Sequence, residues 1–147
     1  MTNQVTSIEQ SKRLLELGAP AEMAGMVWDI TSPAPHPVLK IWDTDTKTKH
    51  RQAVHAGHIP AFTTDDLLGA LPGGCRMPDG TWINMEIEMY GGGIWRLSYF
   101  RIASGSDEIL CGGAGREYLF KQESTQVMDL LYGAAEWLLS NGCKLRL

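Results

Sequence analysis

Cysteine is scarce in this sequence, with only Cys75, Cys111 and Cys143 among 147 residues. The three lie far apart, form no C-x-x-C pair and are odd in number. Disulfide frameworks use even sets of cysteines, and zinc ribbons use closely spaced pairs. We therefore expect reduced thiols, with no cofactor and no structural metal, in a fold held together by its apolar core.

Long apolar runs and an excess of basic charge are also missing. No run approaches the roughly 20 apolar residues of a membrane-spanning helix, and the start, MTNQVTSIEQ, lacks the basic and apolar regions of a secretion signal. We therefore expect a cytoplasmic protein without membrane contact. The formal net charge of -4 argues against broad binding to nucleic acid. A local basic patch would have to come from four cations whose plainer role is in surface ion pairs: Arg96, Arg101, Arg116 and Lys121.

The composition, 44% hydrophobic and 20% charged, is typical of a globular protein, and the length fits a single domain over residues 1–147. Helix start and stop signals predict four helices, near residues 7–17, 20–28, 64–71 and 124–141. The last one has the clearest helical spacing of apolar residues: Val127, Leu130, Leu131, Ala134, Trp137 and Leu138.

Capping-box patterns mark the starts of the first and third predicted helices. Ser7 is followed three residues later by Gln10, and Thr63 by Asp66. In this pattern each side chain accepts a hydrogen bond from the backbone of the other residue, which satisfies amides left unpaired at a helix start. Gly18 is suited to end the first helix because glycine adopts a left-handed conformation easily.

Three consecutive glycines, residues 91–93, separate two segments in which apolar and polar residues alternate. Such alternation is typical of strands with one buried face. A three-residue loop would join residues 82–90 and 94–102 in a hairpin with Met89 opposite Trp95. Glycine suits such a loop, which commonly needs a left-handed residue.

The pairing register supports a loop of three residues. It sets Glu88 opposite Arg96, whereas a loop of two or four residues would set Glu88 against Trp95 and mix charged with apolar positions. The alternative, a phosphate-binding loop, requires a helix after the glycines, and a β-branched, aromatic segment follows instead. The glycines are therefore expected to turn the chain.

This order of elements predicts an α+β fold: an antiparallel sheet with the 82–90/94–102 hairpin at its centre, packed on one face by helices. We expect the helices to cover the whole apolar face of the hairpin, which consists of Ile83, Met85, Ile87, Met89, Trp95, Leu97 and Tyr99.

The densest set of possible metal ligands lies in one polar segment. His50, His55 and His58 follow Asp43 and Asp45, but the H-x4-H-x2-H spacing matches no signature that determines a metal geometry. Scattered surface histidines are the plainer explanation, and a small metal-dependent enzyme that uses this histidine loop is the alternative. The chain has no G-x-S-x-G elbow and no recognisable cysteine motif, so no catalytic residue is predicted.

Three large apolar residues fall on the polar side of the predicted hairpin. Trp82 would lie opposite Ile102, and Asn84 opposite Phe100, so that Trp82, Phe100 and Ile102 gather at the end away from the glycines. One alternative is that a proline-rich segment or a terminal helix of the chain covers these three residues. The other alternative is that they are open and form an interface with a protein partner or a second copy, because aromatic anchors ringed by polar residues are typical of interfaces.

The chain resembles a group of uncharacterised small proteins of gut bacteria and their phages in three segments: SIEQSKRLLELGAPAEMAGM, IPAFTTDDLLGALP and YGAAEWLLSNG. The resemblance is strongest at the two ends of the chain. It implies an accessory protein of a mobile element and transfers no catalytic residue. We therefore predict a non-catalytic protein-interaction or accessory module of a bacterial or phage mobile element.

Overall fold

A computed structural model describes residues 4–31, 36–42, 57–102 and 115–146 of the chain. These residues contain three helices, α1 (Ile8–Glu16), α2 (Thr64–Ala70) and α3 (Val127–Ser140). They also contain seven strands: β1 (Met26–Asp29), β2 (Val38–Ile41), β3 (His58–Ala61), β4 (Gly74–Arg76), β5 (Trp82–Tyr90), β6 (Ile94–Ile102) and β7 (Arg116–Ser124). The fold is α+β, as predicted. Within the described ranges, no helix combines the length and the apolar character needed to cross a membrane.

The strands form two antiparallel sheets. The larger sheet has the order β4-β5-β6-β7, so the β5–β6 hairpin lies at its centre, as predicted. The smaller sheet has the order β2-β1-β3 and was not predicted as a separate unit. It forms because β1 pairs with two segments that are distant in sequence, Met26 lying opposite both Ile41 and Ala61.

The hairpin has the predicted register. Glu88 lies opposite Arg96, and residues 91–93 form the turn between the strands. Gly92 and Gly93 have φ angles of 82° and 75°, a left-handed conformation that residues with a Cβ rarely adopt. The prediction that the glycines turn the chain is therefore confirmed.

Both predicted capping boxes are present. The backbone amide of Gln10 donates to Ser7 Oγ over 3.1 Å, and the amide of Ser7 donates to the Gln10 side chain over 3.0 Å. Asp66 and Thr63 exchange the same pair of hydrogen bonds at the start of α2. Gly18, with φ of 100°, follows the end of α1 as predicted.

The predicted helix over residues 20–28 is wrong. Only Ala21–Met23 form a single 3-10 turn, and Ala24 leaves it with an extended ψ of 127°. The chain then enters β1, the central strand of the smaller sheet. Met23, Ala24, Met26 and Val27 imitate helical spacing, but Met26 and Val27 pair with β2 and β3 instead. Burial alternates along the strand, with Val27 and Asp29 buried.

The main core lies between α3 and the larger sheet. Leu97 and Tyr99 are fully buried on the sheet face that points toward α3, here called the inner face. The Tyr99 ring stacks on Trp137 of α3 with centroids 5.8 Å apart, and its hydroxyl donates to the carbonyl of Pro72 over 2.8 Å. This helix and this sheet face therefore stabilise the fold together.

The expectation that helices cover the whole inner face is wrong at the end near the glycine loop. Ile87 is 38% exposed and Met89 is 66% exposed. A helix of the 14 residues of α3 is about 21 Å long, whereas the nine-residue strands β5 and β6 reach about 30 Å. The hairpin therefore extends beyond the helix that covers it.

Candidate functional site

The face of the larger sheet that points away from α3 is here called the outer surface. By strand register it consists of alternate residues of the four strands, namely Gly74, Arg76, Trp82, Asn84, Glu86, Glu88, Tyr90, Ile94, Arg96, Ser98, Phe100, Ile102, Arg116, Tyr118, Lys121 and Glu123. It includes the three residues that the sequence marked as interface candidates.

The three interface candidates occupy different depths. Trp82 is 51% exposed and Ile102 is also exposed, whereas Phe100 is only 6% exposed. The guanidinium carbon of Arg116 lies 4.2 Å from the centroid of the Phe100 ring, and the Tyr118 ring lies 6.0 Å from it. Phe100 is therefore buried beneath Arg116 and Tyr118, while Trp82 and Ile102 are accessible to a partner.

The indole of Trp82 is held in place by two contacts. Its Nε1 donates to Asn84 Oδ1 over 3.2 Å. The ring also lies against Gly74 of the neighbouring strand, where an added Cβ would come within 2.7 Å of Trp82 Cζ2. The absence of a side chain at Gly74 is what allows the indole to lie across β4.

Paired charges order the middle of the outer surface. Arg116 donates to Glu86, and Arg96 donates to Glu88 over 2.8 Å. The Tyr90 hydroxyl also donates to Glu88 over 2.6 Å. This hydrogen bond and then the charge of Arg96 lower the pKa of Glu88, and the same hydrogen bond raises the pKa of Tyr90. The carboxylate of Glu88 is therefore ionised and paired at neutral pH, which suits it to positioning its neighbours.

Sequence reasoning missed Tyr118, an exposed aromatic residue of the outer surface. Strict alternation along EYLF would place Tyr118 and Phe120 on the same face. A bulge separates them, because Tyr99 pairs with Phe120 while Phe100 pairs with Tyr118. Lys121 then lies on the outer surface with its Nζ 4.8 Å from the centroid of the Tyr118 ring.

Most of the predicted metal-ligand candidates lie outside the described residues, namely Asp43, Asp45, His50 and His55. His58 lies opposite Asp29 in the smaller sheet, with Nε2 3.7 Å from Asp29 Oδ1. Hydrogen bonds from Lys40, at 2.7 Å, and from Thr31 hold the pKa of Asp29 well below its usual range. Within the described part of the chain, no three His, Cys, Asp or Glu side chains are grouped so as to hold a metal ion.

A groove of about 800 Å³ lies beside the smaller sheet. Val5, Met26, Trp28 and Leu39 contribute most of its apolar lining, and Asp65 is the one ionisable side chain among the described lining residues. General acid–base chemistry needs groups that can exchange a proton with a substrate in a set geometry. The described lining brings one such group, the carboxylate of Asp65, to the groove.

Comparison with protein-family models, curated proteins and solved structures yielded no match.

Proposed function

We propose that the protein is a non-catalytic protein-interaction module that binds its partner through the outer surface. The observation that carries the proposal is the exposure of Trp82, Ile102 and Tyr118 on one sheet face while α3 packs on the other. Tryptophan, tyrosine and arginine are the residues that contribute most often to the energetic centres of protein interfaces.

The order of the outer surface favours binding. Trp82 is hydrogen-bonded to Asn84, and the Arg96 side chain is paired with Glu88. Side chains that already occupy one conformation lose little entropy when a partner covers them. The surface therefore presents its aromatic groups at a low conformational cost.

The charge balance of the outer surface favours a protein partner over nucleic acid. Its cations are Arg76, Arg96, Arg116 and Lys121, and its acids are Glu86, Glu88 and Glu123. Since two of the arginines are already paired with two of these acids, little positive charge is available for phosphates. Binding to nucleic acid depends on such uncompensated charge.

The ends of the chain resemble small proteins of gut bacteria and phages, and this resemblance supports a role in a bacterial or phage mobile element. We propose that this module serves as an accessory protein of a mobile element, where binding to another protein suffices for its action. A second copy of the chain is included among the possible partners.

Site-directed photo-crosslinking tests the proposal. A photoreactive phenylalanine at position 82 should give a discrete protein adduct in the native host. The matched control places it at Leu68 of α2, which is exposed to a similar extent, 47% against 51% for Trp82. Because α2 packs against α3, Leu68 belongs to the helical side of the molecule.

The adduct at position 82 should disappear when Ile102→Asp introduces a charge into the same surface. An adduct of twice the chain mass would identify a second copy as the partner, and any other discrete mass would identify a different protein. The same products from positions 82 and 68, or adducts that persist with Ile102→Asp, would contradict the proposed function.

A further inference from the structure

Three sulfur atoms converge at the edge of the main core. Cys143 Sγ lies 3.2 Å from Met77 Sδ, and Cys143 is near enough to the Cys75 thiol to raise the pKa of that thiol. Cys75 and Met77 both pack against the core cluster that contains Cys143. Cys75 belongs to β4, Met77 follows that strand directly, and Cys143 lies beyond the end of α3. Two segments that are distant in sequence therefore supply the cluster.

The local fold holds these two segments together. The Met77 amide donates to Thr81 over 2.7 Å and the Gly80 amide donates to Met77 over 2.9 Å, which closes a turn after β4. The end of α3 lies against this turn, because a Cβ at Gly142 would come within 3.0 Å of Pro78 Cγ. The turn after β4 and its contact with the end of α3 therefore hold the two segments in position.

We propose that Cys75, Met77 and Cys143 form a binding site for a soft monovalent metal ion, with Cu(I) as the ligand that fits best. Thiolate and thioether sulfur select Cu(I) among the biological metals. Zn(II) prefers four ligands drawn from thiolate, imidazole and carboxylate. Within the described residues, no third group of that kind joins the two cysteines.

For the pair Cys143 and Met77, the geometry requires only a small adjustment on binding. Three sulfur atoms that each lie about 2.3 Å from one ion are separated from each other by about 4 Å. The Cys143–Met77 distance of 3.2 Å therefore has to open by less than about 1 Å. Cys143 is buried, whereas Cys75 and Met77 are only partly buried, so that an ion can enter from their side.

Both thiols must lose a proton to bind a metal ion, since the thiolate is the form that coordinates it. Burial and the neighbouring Cys143 raise the pKa of the Cys75 thiol to about 11. A thiol of this kind is a poor nucleophile at neutral pH. On binding, Cu(I) replaces one proton on each thiol, both protons pass to the buffer, and the metal remains Cu(I), so no electron is transferred.

The test uses the full chain, reduced and free of oxygen, with Cys111→Ser in every protein to remove the third thiol. Cu(I) is supplied by a coloured chelator, and the transfer of metal is followed by loss of the chelate absorbance. The parent should take up one equivalent. Cys75→Ser and Cys143→Ser should abolish this uptake, and Met77→Leu should weaken it by at least about tenfold, the loss typical even of an outer-shell partner.

Met89→Leu is the matched control, since Met89 is an exposed methionine near the glycine loop, and its affinity should equal that of the parent. Thermal melting without metal checks that each variant is folded, and Met77→Leu decides the result if a cysteine variant is not. The absence of uptake, equal uptake by Met77→Leu, or formation of a Cys75–Cys143 disulfide in place of a copper complex would overturn the proposal.

Discussion

The two faces of the larger sheet differ in what covers them. On the inner face, Leu97 and Tyr99 are fully buried beneath α3, whereas on the outer surface Trp82 is half exposed and Tyr118 is exposed. All four residues belong to one sheet, with Leu97 and Tyr99 on β6, Trp82 on β5 and Tyr118 on β7. Successive side chains of each strand point to opposite faces of that sheet. One alternating pattern therefore provides a core on one face and accessible aromatic side chains on the other.

The two faces also owe their order to different forces. Full burial of an aliphatic or aromatic side chain contributes about 1.5–3 kcal/mol, whereas an exposed ion pair contributes about 0–1 kcal/mol. Apolar burial of this kind holds Leu97 and Tyr99 on the inner face. The outer surface is ordered instead by polar contacts, among them the partly buried pair of Arg96 and Glu88. We therefore expect stability to depend on the inner face and binding on the outer surface.

The largest effect is expected from a charge on the inner face. Leu97→Asp would bury an unpaired carboxylate beneath α3, and a loss of more than about 4 kcal/mol should prevent folding. Circular dichroism and urea denaturation measure the result. A cooperative unfolding transition close to that of the parent would show that α3 does not cover this position.

A smaller effect is expected from Phe100→Ala on the outer surface. Phe100 is covered by Arg116 and Tyr118, and removing its ring should cost about 3 kcal/mol of unfolding free energy. Urea denaturation measures this cost. A change below about 0.5 kcal/mol, which is the range of ordinary surface substitutions, would mean that Phe100 is not buried in solution.

Ile87→Asp should have a still smaller effect, although Ile87 is an apolar residue of the inner face. It lies beyond the reach of α3 and is partly exposed, so the added carboxylate keeps contact with water. We expect a loss of less than about 1 kcal/mol in urea denaturation. A failure to fold would place this end of the hairpin in the core.

Acid should weaken the outer surface slightly through Glu88. Because its pKa is lowered in the folded protein, its ionised form stabilises the fold above the ordinary glutamate pKa of about 4.3, and this contribution is lost as the pH falls through the lower folded value. The difference in melting temperature between the parent and Glu88→Gln should therefore be constant from pH 7 to about pH 5 and shrink below about pH 4. A constant difference down to pH 2 would contradict the pairing.

Local patterns explain what the sequence predicted well. The register of the hairpin follows from a loop of three glycines and from strict alternation in the strands beside it, and the helix starts follow from Ser7 and Thr63. Each of these signals lies within a few residues of the structure that it determines. The position of Trp82 and Ile102 on the side away from the helices followed from the same alternation, which left open whether another segment covers them.

Long-range pairing explains what the sequence did not predict. Strand β1 was taken for a helix because its partners, β2 and β3, follow much later in the chain. Tyr118 lies on the outer surface because of a bulge, which simple alternation does not predict. The contact between Cys143 and Met77 depends on how α3 lies across the sheet, which no local pattern records.

The most direct test of the division between the two faces is the double variant Trp82→Ala, Tyr118→Ala, measured for stability and for binding in the same protein. We predict a free energy of unfolding within about 1 kcal/mol of the parent, since both residues are exposed. Crosslinking from Ile94, another exposed residue of the outer surface, should fall to the level found at Leu68. Undiminished crosslinking from Ile94, or a loss of stability above about 3 kcal/mol, would contradict the assignment of the outer surface to binding.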